Sequence, residues 1–134
     1  PAAFRLITGG AYQGKLDYVL ARLAAESPQD SELEPAVFTC EMDTLAIDFS
    51  CQVINKLHLF VWAMQQQGRD ARQYLIDHRD DLNGHWLICD DISAGVVPID
   101  EATRLWREAT GRCSVWLARE AAKSSACSAA WPRV

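Results

Sequence analysis

The chain has 134 residues, 49% hydrophobic and 23% charged, a composition that suits a water-soluble globular domain and argues against disorder. Its formal charge of −5 argues against a broad nucleic-acid-binding face, yet leaves room for one local anion site. The most apolar stretch, 57–64, falls far short of the roughly 20 residues that cross a bilayer, so no membrane span is expected.

Phe4-Arg5-Leu6-Ile7-Thr8 is a short bulky run ending in two glycines, which predicts a buried strand. Leu16, Val19, Leu20, Leu23 and Ala24 then recur at spacings of three and four, one face of a helix. Residues 26–35 are polar, carry two prolines and read as a loop, and Ala36–Cys40 predicts a second strand. Residues 44–67 predict helix in two pieces, with Val53, Leu57, Phe60, Val61 and Met64 in register and Gly68 as the stop. A short helix is expected over 69–76. Asn83-Gly84 turns the chain into a third strand, His85–Cys89, which ends at Asp90 and Asp91. A long helix follows over 100–122, with Ala102, Leu105, Ala109, Cys113 and Leu117 inward. Strands alternating with helices predict an α/β domain over 1–122 with a mostly parallel sheet and flanking helices. Residues 123–134 have neither period and read as an atypical tail. Five scattered cysteines, with no C-x-x-C pair, read as reduced thiols in a cytoplasmic protein.

Between the first strand and the first helix, Gly9-Gly10-Ala11-Tyr12-Gln13-Gly14-Lys15 satisfies G-x-x-x-x-G-K. Glycines let backbone N–H groups turn inward as an anion nest, and the helix start adds positive potential. The lysine meets the outer phosphates. A plain strand-to-helix turn is the alternative. Leu16 stands where Ser or Thr ordinarily offers a hydroxyl to Mg2+, which leaves the ion to phosphates, water and a carboxylate from elsewhere. Ligands of doubly wound sheets sit beyond the carboxyl ends of the strands. Asp91, with Asp90 second, is therefore the expected Mg2+ carboxylate, against a solvated strand end or a helix cap. The expected fold is P-loop NTPase-like.

The opening G-G-A-Y-Q-G-K, the loop Ile92-Ser93-Ala94-Gly95-Val96-Val97-Pro98 and the run Arg104-Leu105-Trp106-Arg107-Glu108-Ala109-Thr110-Gly111-Arg112 together resemble the bifunctional adenosylcobinamide kinase/adenosylcobinamide-phosphate guanylyltransferase family. Asp90-Asp91 stands for that family's N-E pair, and Ser93 replaces a glycine. The shorter middle resembles a compact branch. The resemblance implies a transferase that uses ATP or GTP with Mg2+. It would phosphorylate adenosylcobinamide, then pass GMP from GTP to the product through a guanylyl-histidine. It also implies a homo-oligomer, and a final strand where the tail stands. One out-of-frame back-translation of the tail spells V-I-R-V-F-C-G-L-A-T-R, which looks like that strand, so a frameshifted end is one expectation. A catalytically impaired nucleotide binder, or a P-loop kinase of another small hydroxyl compound, is the alternative function.

His58 lies on the predicted middle helix, where the family carries its guanylylated histidine, and is the positional match. A neutral imidazole can attack phosphorus, and an ordinary pKa near 6.5 makes that form available. The alternative is a packed histidine with no chemistry. His78 reads as part of a solvated charge cluster and His85 as structural. Arg104 and Arg107 share a helix face and are the candidate phosphate or substrate contacts, against surface pairing with Glu101 and Glu108. Trp62, Trp106 and Trp116 read as core or subunit contacts.

Overall fold

A computed structural model describes residues 4–9, 14–26, 36–90, 92 and 100–123. Four parallel strands form one sheet: β1 (Arg5–Gly9), β2 (Val37–Thr39), β3 (Val53–Asn55) and β4 (Trp86–Asp90), in the order β1-β4-β3-β2. The helices are α1 (Lys15–Glu26), α2 (Leu57–Gln66), α3 (Ala71–Asp77) and α4 (Glu101–Lys123), with a 3-10 turn at Arg79–Leu82. The α/β class and the parallel sheet with flanking helices thus agree with the alternation in the sequence.

Strand period decides which helix covers which face. Leu6, Ile54, Leu87 and Cys89 project to one side and join Phe60 and Met64 of α2, Leu75 of α3 and Cys113 and Leu117 of α4 in the main core. Ile7, Val53, Trp86 and Ile88 project to the other side, where Val19 of α1 meets them with Leu16, Tyr18 and Leu23 packed alongside. The central strands β3 and β4 are buried on both faces, so β4 reads as a continuous apolar run, Trp86 to Cys89, rather than an alternating one. Arg5 closes one end of the smaller core, its guanidinium 4.8 Å from the Trp86 ring centroid.

The expected helix over 44–67 is corrected. Helix begins only at Leu57, and the preceding residues form turns and then β3. Asp48 accepts from the Ser50 backbone N–H (3.0 Å), and Cys51 N–H donates to the Asp48 carbonyl (3.3 Å), folding this segment back toward the sheet. Val53 and Leu57 are fully buried in the observed arrangement, and a continuous helix would have buried them together as well. Spacing alone did not separate the two. The β-branched pair Val53-Ile54 becomes strand because β2 and β4 supply hydrogen bonds on both sides.

Helix starts follow local chemistry. Asp70 accepts from Gln73 N–H (3.2 Å) to open α3, and Asp100 accepts from Thr103 N–H (2.8 Å) to open α4. The Asp100 bonds, from the Thr103 hydroxyl first and its backbone second, hold that carboxyl below its ordinary range. No helix among the described residues is long and apolar enough to cross a membrane.

Candidate functional site

The carboxyl ends of β1 and β4 bring the site together. Gly9 and Asp90 are register partners, so the first residue of the G-x-x-x-x-G-K sequence lies directly beside the last residue of β4. Gly9 has φ 145° and Gly14 φ 113°, conformations that L side chains rarely adopt. A Cβ on Gly14 would meet nothing within 4 Å, so its backbone angle, and not crowding, calls for glycine there. The Gly14 carbonyl accepts from Tyr18 N–H (2.9 Å) and starts α1, which puts Lys15 in the first turn. Gly10, Ala11, Tyr12 and Gln13 lie outside the described residues.

Lys15 is 3% exposed, and its Nζ lies 3.0 Å from Asp90 Oδ1. That ion pair joins the last loop residue to the end of β4. Leu16 is half-buried and packs against the Ile7–Val19–Trp86 core, so the position that ordinarily offers a hydroxyl to a metal serves packing here. Asp91 lies outside the described residues, as do residues 93–99, whereas Asp90 stands between Lys15 and His58.

His58 sits in the first turn of α2, 7% exposed. Its Nδ1 accepts from the Asp90 backbone N–H at 3.2 Å, and its Nε2 lies 3.8 Å from Asp90 Oδ2, beyond hydrogen-bond length. Burial lowers its pKa below the ordinary 6.5, opposed by the Asp90 carboxylate and reinforced by Lys56 and Lys15. The ring is therefore neutral at pH 7, and the Asp90 N–H assigns its single proton to Nε2. Attack on phosphorus needs a free lone pair, so Nδ1 would first have to leave the Asp90 N–H, or the proton would have to move from Nε2.

Two further residues hold this histidine. Lys56, which precedes α2, adopts the left-handed region (φ 56°, ψ 47°), a conformation costly for a side chain with a Cβ. Trp106 of α4 donates its indole N–H to the His58 carbonyl (2.7 Å), and its ring meets Trp62 edge-on at 5.3 Å. No sequence signal marked Lys56. Trp106, expected as a core or subunit contact, packs against the main core and ties α4 to α2.

The candidate arginines part company. Arg104 is exposed and pairs along its own helix with Glu108 (3.3 Å) and Glu101 (3.9 Å). Arg107 is half-buried, and its Nε and the Thr110 hydroxyl are buried atoms without a hydrogen-bond partner among the described residues. These two lie between the ties that bind α4 to the site's elements, Trp106 to His58 and Ser114 to Cys89 (Oγ to Sγ 3.9 Å). The other histidines stand apart. His78 Nδ1 is 2.9 Å from Asp81 and its ring packs on Tyr74 and Phe49. His85 Nε2 is 2.7 Å from the Phe49 carbonyl.

Among the described residues, no group of three or more His, Cys, Asp or Glu side chains gathers to hold a metal. Mg2+ prefers one or two carboxylates plus phosphate oxygens and water, so Asp90, a quarter exposed, fits as a protein ligand to a phosphate-borne ion and not as part of a protein cage. No protein-family model matches the chain, and no curated protein resembles it at a significant level.

Proposed function

We propose that the chain binds a nucleoside triphosphate at the joined ends of β1 and β4 and transfers a phosphoryl group to a small hydroxyl compound or a nucleotidyl group to the phosphate so formed. The observation that carries this reading is the buried Lys15 ammonium, held 3.0 Å from Asp90 in the first turn of the helix that follows Gly14. A phosphate arriving there would exchange the Asp90 carboxylate for its own oxygens and gain the positive end of α1. Lys15 would hold the outer phosphates. Asp90, released from Lys15, would hold Mg2+, whose chemistry is to neutralise charge on the transferring phosphate. His58 would act once its Nδ1 leaves the Asp90 N–H.

The resemblance to the cobinamide kinase/guanylyltransferase family supplies the specific reading: adenosylcobinamide as acceptor, ATP or GTP as donor, and His58 as the carrier of GMP. A second reading, a nucleotide binder without turnover, is favoured by two observations: Leu16 spent on packing, and His58 Nδ1 already engaged. Incubation with α-labelled GTP and Mg2+ separates them. The transferase reading expects an acid-labile protein adduct that His58→Gln abolishes while nucleotide binding persists. Phosphate transfer to cobinamide without an adduct leaves the kinase alone, and binding with neither product leaves the second reading.

A further inference from the structure

A second charged feature lies on the outer side of α3 and α4, sharing no residue with the Lys15–Asp90–His58 group. A cavity of about 350 Å3 is lined by Arg72, Gly111, Arg112, Val115, Trp116 and Arg119. A second cavity, of about 230 Å3, includes Arg69, Asp70, Arg72 and Arg112 in its wall. Arg72 and Arg112 belong to both, so the two form one groove.

Four of the chain's thirteen Lys and Arg residues thus face one groove of a protein with formal charge −5. Helical spacing explains part of this: Arg112, Trp116 and Arg119 stand at i, i+4 and i+7 on α4. What it does not explain is the excess of guanidinium over carboxylate there. Arg79 and Arg104 pair with glutamates, whereas none of Arg69, Arg72, Arg112 and Arg119 has a carboxylate within 4.0 Å among the described residues. Asp70, in the wall of the second cavity, caps α3 through the Gln73 N–H and keeps its charge there, so it offsets at most one of the four guanidinium charges. Clustered guanidinium groups repel one another, and their planar forks match phosphate oxygens two at a time.

Gly111 belongs to the same cavity wall. It lies inside α4, where glycine costs about 0.5–1 kcal/mol relative to alanine. A Cβ there would meet nothing within 4 Å, so close packing does not require the glycine. It lines the cavity with Arg72 and Arg112, and a side chain there would enter open space. Trp116 and the half-exposed Val115 add apolar surface to the same wall.

We propose that this groove binds a small ligand bearing two phosphates and a flat ring, of the nucleoside-diphosphate class. The phosphates lie between Arg72 and Arg112, and the ring lies against Trp116. The assignment stands apart from the function proposed at Lys15, and the test is built to keep the two apart. A Lys15→Met background weakens the first site, and the signals followed belong to the second alone. Titrations with inorganic pyrophosphate and with ADP are followed by the Arg Nε–H and Trp116 indole signals in two-dimensional NMR. Both probes are expected to shift Arg72 and Arg112, and ADP alone to shift Trp116. Arg72→Gln with Arg112→Gln should weaken binding about tenfold or more. Gly111→Leu, which favours the helix and fills the floor, should abolish it without loss of fold. Absence of shifts at millimolar probe, or binding unchanged in both variants, overturns the proposal. So does self-association that these same variants disrupt, which would make the groove an interface between copies.

Discussion

Replacing Lys15 by Met and Asp90 by Asn, singly and together, measures the contact on which the proposed site turns. At 3.0 Å and an effective dielectric constant near 20, the bare attraction is about 5–6 kcal/mol. Stripping water from a 3%-exposed ammonium takes most of that back. Exposed ion pairs couple by about 0.2–1 kcal/mol, and breaking a fully buried pair costs about 3–5 kcal/mol. With Lys15 buried and Asp90 25% exposed, a coupling of about 1.5–2 kcal/mol is expected. Urea unfolding of the four proteins gives this directly, because the cycle cancels what each side chain does with its other neighbours. A coupling below about 0.5 kcal/mol would refute the claim that the pair is desolvated and holds the loop end to β4.

The folded pKa of His58 lies below the ordinary 6.5, so the unfolded chain takes up that proton first; stability is whole above about 6.5 and falls as pH drops toward the folded value. The His58 share of the slope is at most about 1.4 kcal/mol per pH unit, and His58→Gln should remove it; identical urea midpoints against pH for both proteins would count against the assignment. Lys56→Gly should relieve the left-handed backbone and stabilise the fold by roughly 0.5–1 kcal/mol, read as a higher melting temperature, and a lower one would contradict the strain argument. Burial pushes the Cys40, Cys89 and Cys113 thiols up to about 12, so a thiol reagent at pH 8 should reach them only after unfolding. Rapid labelling of any of the three in the folded protein would show that this core opens.

Most of the architecture was legible because its signals are local. The glycines after Thr8, the spacing from Leu16 to Ala24 and the run His85–Cys89 each matched one element within a residue or two. β3 was not legible. Three residues carry too little pattern, and Val53 fits the helical register of Leu57, Phe60 and Val61 as well as it fits a strand. Its identity comes from strands far away in sequence.

The site divides the same way. Lys15, Asp90 and His58 were visible as residue types at element ends, and β1 and β4 being neighbours brings them together. The state of His58 was not legible, since the bond that fixes its proton comes from a backbone N–H 32 residues away. Leu16, a mere departure from a motif on paper, is a core residue in the fold.

Equilibrium binding of GTP with Mg2+ to the unmutated chain and to Lys15→Met tests the central claim most directly. The account predicts saturable binding to the first and a loss of about tenfold or more in the second, with both proteins folded. Equal affinity in the two, or no binding to the unmutated chain, would contradict it.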